Sequence, residues 1–181
     1  MKNDRLMIGV IGHRNSGKTH TWNTLFGRTV RTGGEPRHLT VRPGECVEVF
    51  LVSGSPEERH LYVADILGRQ HCRIVLCSMQ YITGVHQTLD YFLENGFSLN
   101  VQWLNPGFRD PAPYTDDLAL VESILDTRRS SLSIRDGQLD AAGRVQEIRE
   151  AIYGWALYRN LVFQCSHYGV SHAGDDGLTP E

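Results

Sequence analysis

One short segment, residues 12–19, restricts the fold of this chain more than any other. It reads Gly12-His13-Arg14-Asn15-Ser16-Gly17-Lys18-Thr19 and fits the pattern G-x-x-x-x-G-K-[ST] without a mismatch. An apolar stretch of β-forming residues, Leu6–Ile11, precedes it, and a segment of helical periodicity begins at Lys18. The chain must therefore turn sharply from a buried strand into a helix here, as α/β folds do.

The residue types in this segment suit the binding of phosphate. Glycines permit backbone angles that turn successive N–H groups inward around an anion, and the helix that follows adds its N-terminal dipole. Lys18 supplies a positive charge for the β- and γ-phosphates, and the hydroxyl of Thr19 is placed to bind Mg²⁺. We therefore predict that all eight residues bind nucleotide, and we call residues 12–19 the phosphate loop. Lys18 is predicted to be a surface-loop charge that the fold does not need. The alternative is that Gly12 and Gly17 only serve a tight turn and that Arg14 points to solvent.

The rest of the chain alternates β-type and helical segments, which predicts one α/β domain over residues 1–165. Two extended runs, His38–Val41 and Cys46–Val52, flank a Pro-Gly turn and predict an antiparallel hairpin. Leu132–Ile134 predicts a short edge strand. Residues 166–181 have little to bury, and we expect a disordered tail there.

Two segments between these elements carry further predictions. Residues 28–36 are polar and Gly-rich and predict an exposed, mobile loop. Ser55, Pro56 and Glu58 have the types and spacing of a helix start, with Ser55 as the N-cap. Glu58 can then return a hydrogen bond to the cap backbone.

Composition excludes several classes of protein. The net charge is -3, so we expect no general binding of nucleic acid, and no apolar run is long enough to span a membrane. The four cysteines are scattered without a C-x-x-C pair, which argues against a zinc site and favours a reduced, cytoplasmic protein with free thiols.

The phosphate loop and its context resemble the P-loop NTPases, and three features resemble their G-domain branch. The run Asn23–Arg28 is similar to the end of the first helix in many small G domains, the hairpin sets the second strand antiparallel to the third, and the order of elements is similar over most of the chain. The resemblance implies a three-layer α/β sandwich, with a mostly parallel sheet and one antiparallel hairpin strand, that binds Mg²⁺ with ATP or GTP. It also implies a second Mg²⁺-binding hydroxyl in the mobile loop, for which Thr32 is the candidate.

Two positions depart from the G-domain pattern. Val52-Ser53-Gly54-Ser55 stands where the family's third strand ends in an acid. Glu57 and Glu58 are the acids nearest to that position, so Glu58 is a candidate catalytic acid as well as a capping residue. Asn105-Pro106-Gly107-Phe108 stands where the family reads guanine with Asn-Lys-x-Asp. Only Asn105 fits the second pattern, and Asp110 is displaced by two positions. We therefore predict that Asn105 contacts the nucleotide, that the protein does not strongly prefer GTP over ATP, and that hydrolysis is slow.

These observations favour a nucleoside-triphosphate-binding protein that is a slow NTPase or a nucleotide-dependent switch. Bound NTP·Mg²⁺ would order the Arg28–Arg37 loop and change a surface for a partner protein or a second copy of the chain. One alternative is a small-molecule or nucleotide kinase, for which Arg109 and Arg128-Arg129 are the candidate arginines. The other is a degenerate module that binds nucleotide for structure alone.

Overall fold

In the computed structural model, which describes residues 4–68, 71–108 and 115–165, strands and helices alternate along the chain. The strands are β1 (Arg5–Gly12), β2 (Arg37–Arg42), β3 (Glu45–Val52), β4 (Ile74–Gln80), β5 (Phe97–Leu104), β6 (Ser130–Arg135) and β7 (Phe163–Gln164). The helices are α1 (Lys18–Phe26), α2 (Val63–Leu67), α3 (Val85–Glu94), α4 (Leu120–Leu125) and α5 (Ala142–Leu157).

The strands form one mostly parallel sheet in the order β2-β3-β4-β1-β5-β6. β1 lies in the interior and pairs in parallel with β4 and β5, and the pairs β3–β4 and β5–β6 are also parallel. β2 and β7 both pair with β3 in the antiparallel sense. The α/β class, the antiparallel hairpin and the edge strand at residues 132–134 are therefore confirmed.

Helices cover both faces of the sheet because β1 and β4 bury apolar side chains on each side, as central parallel strands do. On one face, residues of α1 and α5 such as Trp22, Leu25 and Ile148 pack on Ile8 and Leu76. On the other face, the apolar residues of α2, α3 and α4 pack on the alternate side chains of the same strands. Since α1 leaves β1 on one face while α3 and α4 occupy the other, a crevice opens at the carboxyl end of β1.

The predicted helix start at Ser55 is wrong. Residues 56–60 form turns, and α2 begins only at Val63. The amides of Arg59 and Leu61 both donate to the carbonyl of Pro56, and His60 has a φ of 52°, so the turn closes without continuing as a helix. Glu58, the predicted capping residue, is exposed, and the side chain of Glu57 beside it is buried.

The segment 28–36 is held at two points. Val30 is buried in the core beside α1, and its amide donates to the side-chain oxygen of Asn23 at 2.9 Å. The hydroxyl of Thr32 accepts a hydrogen bond from the amide of Ser53 at 2.9 Å. The loop lies at the surface, as expected, with Arg31, Gly34 and Glu35 exposed. Val30 and Thr32 nevertheless hold its first half against the core and the end of β3.

The expectation of four free thiols is wrong for two of the cysteines. Cys46 of β3 and Cys165 form a disulfide, while Cys72 and Cys77 are free and buried. The two partners are 119 residues apart in sequence, and only the pairing of β7 with β3 brings them together, so spacing could not reveal them. The cytoplasmic location stays a prediction. The expected tail, residues 166–181, lies outside the described residues.

Candidate nucleotide-binding site

The segment 12–19 joins the carboxyl end of β1 to the first residue of α1. Gly17 caps α1 with a φ of 103°, in the left-handed region that favours glycine, and Asn15 also has a positive φ of 63°. The amide of Ser16 closes a turn onto the carbonyl of His13. The sequence pattern therefore lies where a helix N-terminus meets the crevice, which is where an anion is favoured.

Lys18 occupies a different environment from the one predicted. It is only 8% exposed, so the expectation of a surface-loop charge is wrong. Its Nζ donates to the carbonyl oxygens of Gly12 at 2.9 Å and His13 at 2.7 Å, and to Oε1 of Gln80 at 2.9 Å. Burial lowers the pKa of Lys18 to about 8, against an opposing effect of the nearby carboxylates of Glu58 and Glu57.

A cavity of about 460 Å³ opens on this loop. Its walls are formed by the loop and the start of α1, together with Glu58 from the segment after β3. The lining residues are Arg14, Asn15, Ser16, Gly17, Lys18, Thr19, His20 and Glu58. Arg14 is exposed at the rim, 3.9 Å from the Glu58 carboxylate, so this ion pair is solvent-exposed and weak.

Asn105 fixes the phosphate loop from the end of β5. Its side chain is buried, donates through Nδ2 to the carbonyl of Ser16 at 3.1 Å, and accepts through Oδ1 from the amide of Gly137 at 2.6 Å. Its own amide donates to the carbonyl of Arg135. Asn105 therefore contacts the phosphate loop, and its described contacts tie two loops together. Contact with a nucleotide stays a prediction.

The loop after β6 presses directly on the phosphate loop. A Cβ atom added at Gly17 would lie 2.3 Å from the carbonyl oxygen of Gly137, and one added at Gly137 would lie 1.9 Å from the carbonyl oxygen of Ser16. Both distances are shorter than any Cβ contact allows, so this approach of two backbones requires glycine at both positions. No sequence pattern marked Gly137 as part of the site, apart from its place in the turn after the last edge strand.

Gln80 and Glu57 also belong to the site. The sequence indicated neither Gln80 nor a buried position for Glu57. Gln80 ends β4, the strand beside β1, and its amide donates to Glu57 Oε2 at 2.9 Å while its side chain accepts from Lys18. Thr88 of α3 donates to the other oxygen of Glu57. Ser53, at the end of β3, is one strand further from β1 because β4 lies between.

Arg144 supports the phosphate loop from below. It is buried in α5, and its Nε donates to Thr21 Oγ1 at 2.9 Å, while Thr21 Oγ1 donates to the carbonyl of Gly17 at 3.0 Å. Its Nη1 donates to three carbonyl oxygens of the loop after β6, those of Asp136, Leu139 and Asp140. Burial lowers the pKa of Arg144. One buried guanidinium thus holds α1 and the Gly137 loop in place.

The described oxygen donors suit Mg²⁺ in part. Mg²⁺ takes oxygen ligands and usually binds through one or two protein groups together with phosphates and water. Thr19 and Glu58 line the same cavity and supply a hydroxyl and a carboxylate. The hydroxyl of Thr32 lies against Ser53, so its predicted role as a second ligand remains open. Within residues 4–68, 71–108 and 115–165, no group of three or more His, Cys, Asp or Glu could hold a metal ion alone.

Comparison with known proteins adds little to this geometry. No protein-family model matches the chain, and no curated protein matches it. One similar solved structure is a de novo designed protein determined by solution NMR by the Northeast Structural Genomics Consortium. It is 10% identical, covers 92% of this chain and 98% of that one, and has a TM-score of 0.43, a similarity that carries no argument about function. None of the described helices is both long enough and apolar enough to cross a membrane.

Proposed function

We propose that this chain binds a nucleoside triphosphate, ATP or GTP, with Mg²⁺ at the Gly12–Thr19 loop. One observation carries the proposal: a G-x-x-x-x-G-K-T segment joins a buried parallel strand to a helix and lines a cavity of about 460 Å³. Its lysine, Lys18, is buried in the protein and also lines this cavity. The loop would surround the phosphates, and Thr19 would hold Mg²⁺, with Glu58 as the nearest carboxylate.

Lys18 must exchange partners when it meets a phosphate. All three of its described hydrogen bonds go to protein oxygens, two of which are carbonyls of the loop itself. An ammonium group has three donors, so each bond to a phosphate oxygen replaces one of these. Exchange with the uncharged Gln80 side chain is easier than breaking an ion pair, because a charged phosphate is a stronger acceptor than an amide.

The proposed activity is a slow hydrolysis or a binding switch rather than rapid turnover. Both oxygens of Glu57 already accept hydrogen bonds, and the end of β3 carries Ser53 instead of an acid. Glu58 is the remaining candidate to orient water, and it is half-exposed beside Arg14. An unassisted rate well below about one per second follows, on the order of intrinsic GTPase rates. The nucleotide state would then act on a partner protein or a second copy.

A thermal-shift panel tests binding. The panel uses ATP, GTP, their diphosphates and monophosphates, with and without Mg²⁺, and tight triphosphate binding should stabilise the protein by a few kcal/mol at saturation. Because Lys18 is buried, Lys18→Met, which keeps the apolar stem, is the variant of choice beside Lys18→Ala. We expect both to lose the nucleotide-dependent shift. Unchanged triphosphate affinity in Lys18→Met would show that the loop is not the site.

Hydrogen exchange separates a switch from a kinase. A switch predicts slower amide exchange in residues 28–37 with a non-hydrolysable triphosphate than with diphosphate, through the Thr32–Ser53 contact or a direct one. A kinase predicts a weak loop response and fast phosphoryl transfer once an acceptor is supplied. Equal exchange in both nucleotide states would remove the switch and leave the kinase and the structural module.

A further inference from the structure

A second cavity, of about 300 Å³, lies away from the phosphate loop at the edge of the sheet. The end of α1, strand β2 and helix α5 form its walls, and it shares no lining residue with the first cavity. The residues that line it are Leu25, Phe26, Gly27, Arg28, His38, Leu39, Thr40 and Arg149. We call it the β2 groove.

The β2 groove has an apolar floor and a cationic rim. Leu25 and Leu39 are buried beneath it, whereas Arg28 and His38 are exposed. Arg149 is half-buried, donates to the carbonyl of Leu25 at 2.7 Å, and keeps a buried Nε without a hydrogen-bond partner. The guanidinium of Arg37 lies 5.8 Å from the centre of the Phe26 ring beside it.

Acidic residues lie near this rim, but its arginines form no ion pair among those described. Glu150 forms an ion pair with Arg42 at 3.0 Å, and Glu48 stands opposite His38 in the hairpin. Among the described ion pairs, none involves the arginines at positions 28, 37 and 149. The groove therefore attracts a negatively charged ligand.

The same groove exposes the backbone of a terminal strand. β2 ends the sheet order, and within the described residues no strand pairs with its outer edge. His38, Leu39 and Thr40 of this edge line the groove. Every second residue of an antiparallel strand directs its N–H and C=O outward, so such an edge can accept another strand.

We propose that the β2 groove is a docking site for an extended acidic peptide segment of a partner protein, added as a strand to β2. Backbone pairing with β2 supplies affinity, and acidic side chains of the peptide meet Arg28 and Arg149. A second copy pairing through its own β2 does not fit, because that strand carries Arg37 and Arg42 and would set like charges together.

A defined probe tests the proposal. The probe is a fluorescently labelled peptide of about eight residues that alternates valine and glutamate, titrated against the full chain at low salt by fluorescence anisotropy. We expect saturable binding, loss of at least about tenfold in affinity in Arg28→Glu, and shifts of the amide resonances of His38–Thr40. Arg128→Glu, next to the opposite edge strand β6, is the matched control and should bind as the wild type does.

Two further peptides make the test decisive. A peptide with lysine in place of glutamate should not bind, and an N-methylated acidic peptide, which cannot pair along the strand, should bind at least about tenfold more weakly. No saturable binding at about 1 mM overturns the proposal. Three other results also overturn it: the basic peptide binds as tightly as the acidic one, the methylated acidic peptide binds as tightly as the unmethylated one, or the Arg28→Glu variant binds the acidic peptide as tightly as Arg128→Glu does.

Discussion

Replacing Gly137 with alanine should loosen the phosphate loop through a steric clash alone. The new Cβ would lie 1.9 Å from the carbonyl oxygen of Ser16 and 3.1 Å from both Asn105 Oδ1 and Leu104 Cβ. Gly137 has no positive φ, so the substitution adds no backbone strain of its own. The clash is with backbone, which a side-chain rotation cannot relieve, and the two loops must move apart.

The magnitude follows from overpacking and from the Asn105 contacts. Overpacking of a tight site costs about 1–3 kcal/mol, and separating the loops weakens the bonds from Asn105 to Ser16 and Gly137, worth about 1 kcal/mol each. A total of about 3 kcal/mol lowers the melting temperature of a domain of this size by about 10 °C. The same displacement moves the carbonyl that precedes Gly17, so triphosphate affinity should fall by at least about tenfold.

Differential scanning calorimetry of the ligand-free protein provides the first readout, and titration calorimetry with nucleotide the second. Gly143→Ala is the matched control, because a Cβ at that position in α5 meets no atom within 4 Å and alanine favours a helix. Its melting temperature should stay the same or rise. If Gly137→Ala melts with the control, the close approach of the two loops is wrong, whatever the nucleotide does.

Three further predictions concern charge, base and covalent linkage. First, Lys18 and Lys2 are the only lysines, so ¹³C-labelled lysine should show a signal that titrates near pH 8 and vanishes in Lys18→Met. The folded pKa of Lys18 is below the unfolded value of 10.5, so the unfolded state binds more protons between pH 8 and 10.5, and the contribution of Lys18 to stability rises with pH in that range. The affinity for triphosphate should fall over the same range because the charge is lost. A signal that titrates near 10.5 would contradict the burial of Lys18. Second, competition titrations should show GTP favoured over ATP by less than a hundredfold, about 2.7 kcal/mol, because residues 105–108 lack the Lys and the Asp of an Asn-Lys-x-Asp guanine-reading pattern. A larger preference would show that other groups read guanine. Third, Cys165→Ser should lower the stability of the oxidised protein by about 2–5 kcal/mol, since the bridge spans 119 residues, and should abolish the effect of dithiothreitol on the melting temperature; Cys72→Ser should leave that effect in place.

Local patterns in the sequence were sufficient for most of the secondary structure. Leu6–Ile11 and Arg73–Ser78 are nearly continuous apolar runs and proved to be buried parallel strands, because such runs suit strands covered on both faces. The Pro43-Gly44 turn between two extended runs formed the hairpin, since a two-residue turn constrains only its neighbours. The place of the phosphate loop between β1 and α1 followed in the same way.

The sequence by itself determined the alternation of strands and helices, the hairpin and the glycine-and-lysine loop, because each depends on residues near one another in the chain. Only the tertiary structure decided what surrounds the loop. Gln80 lies beside Lys18 because β4, not β3, pairs with β1, and Gly137 presses on Ser16 because the β5 and β6 ends meet at Asn105. The burial of Lys18 and the Cys46–Cys165 bridge have the same origin, since strand order sets which distant residues meet, and strand order is a property of long-range packing that no local pattern encodes.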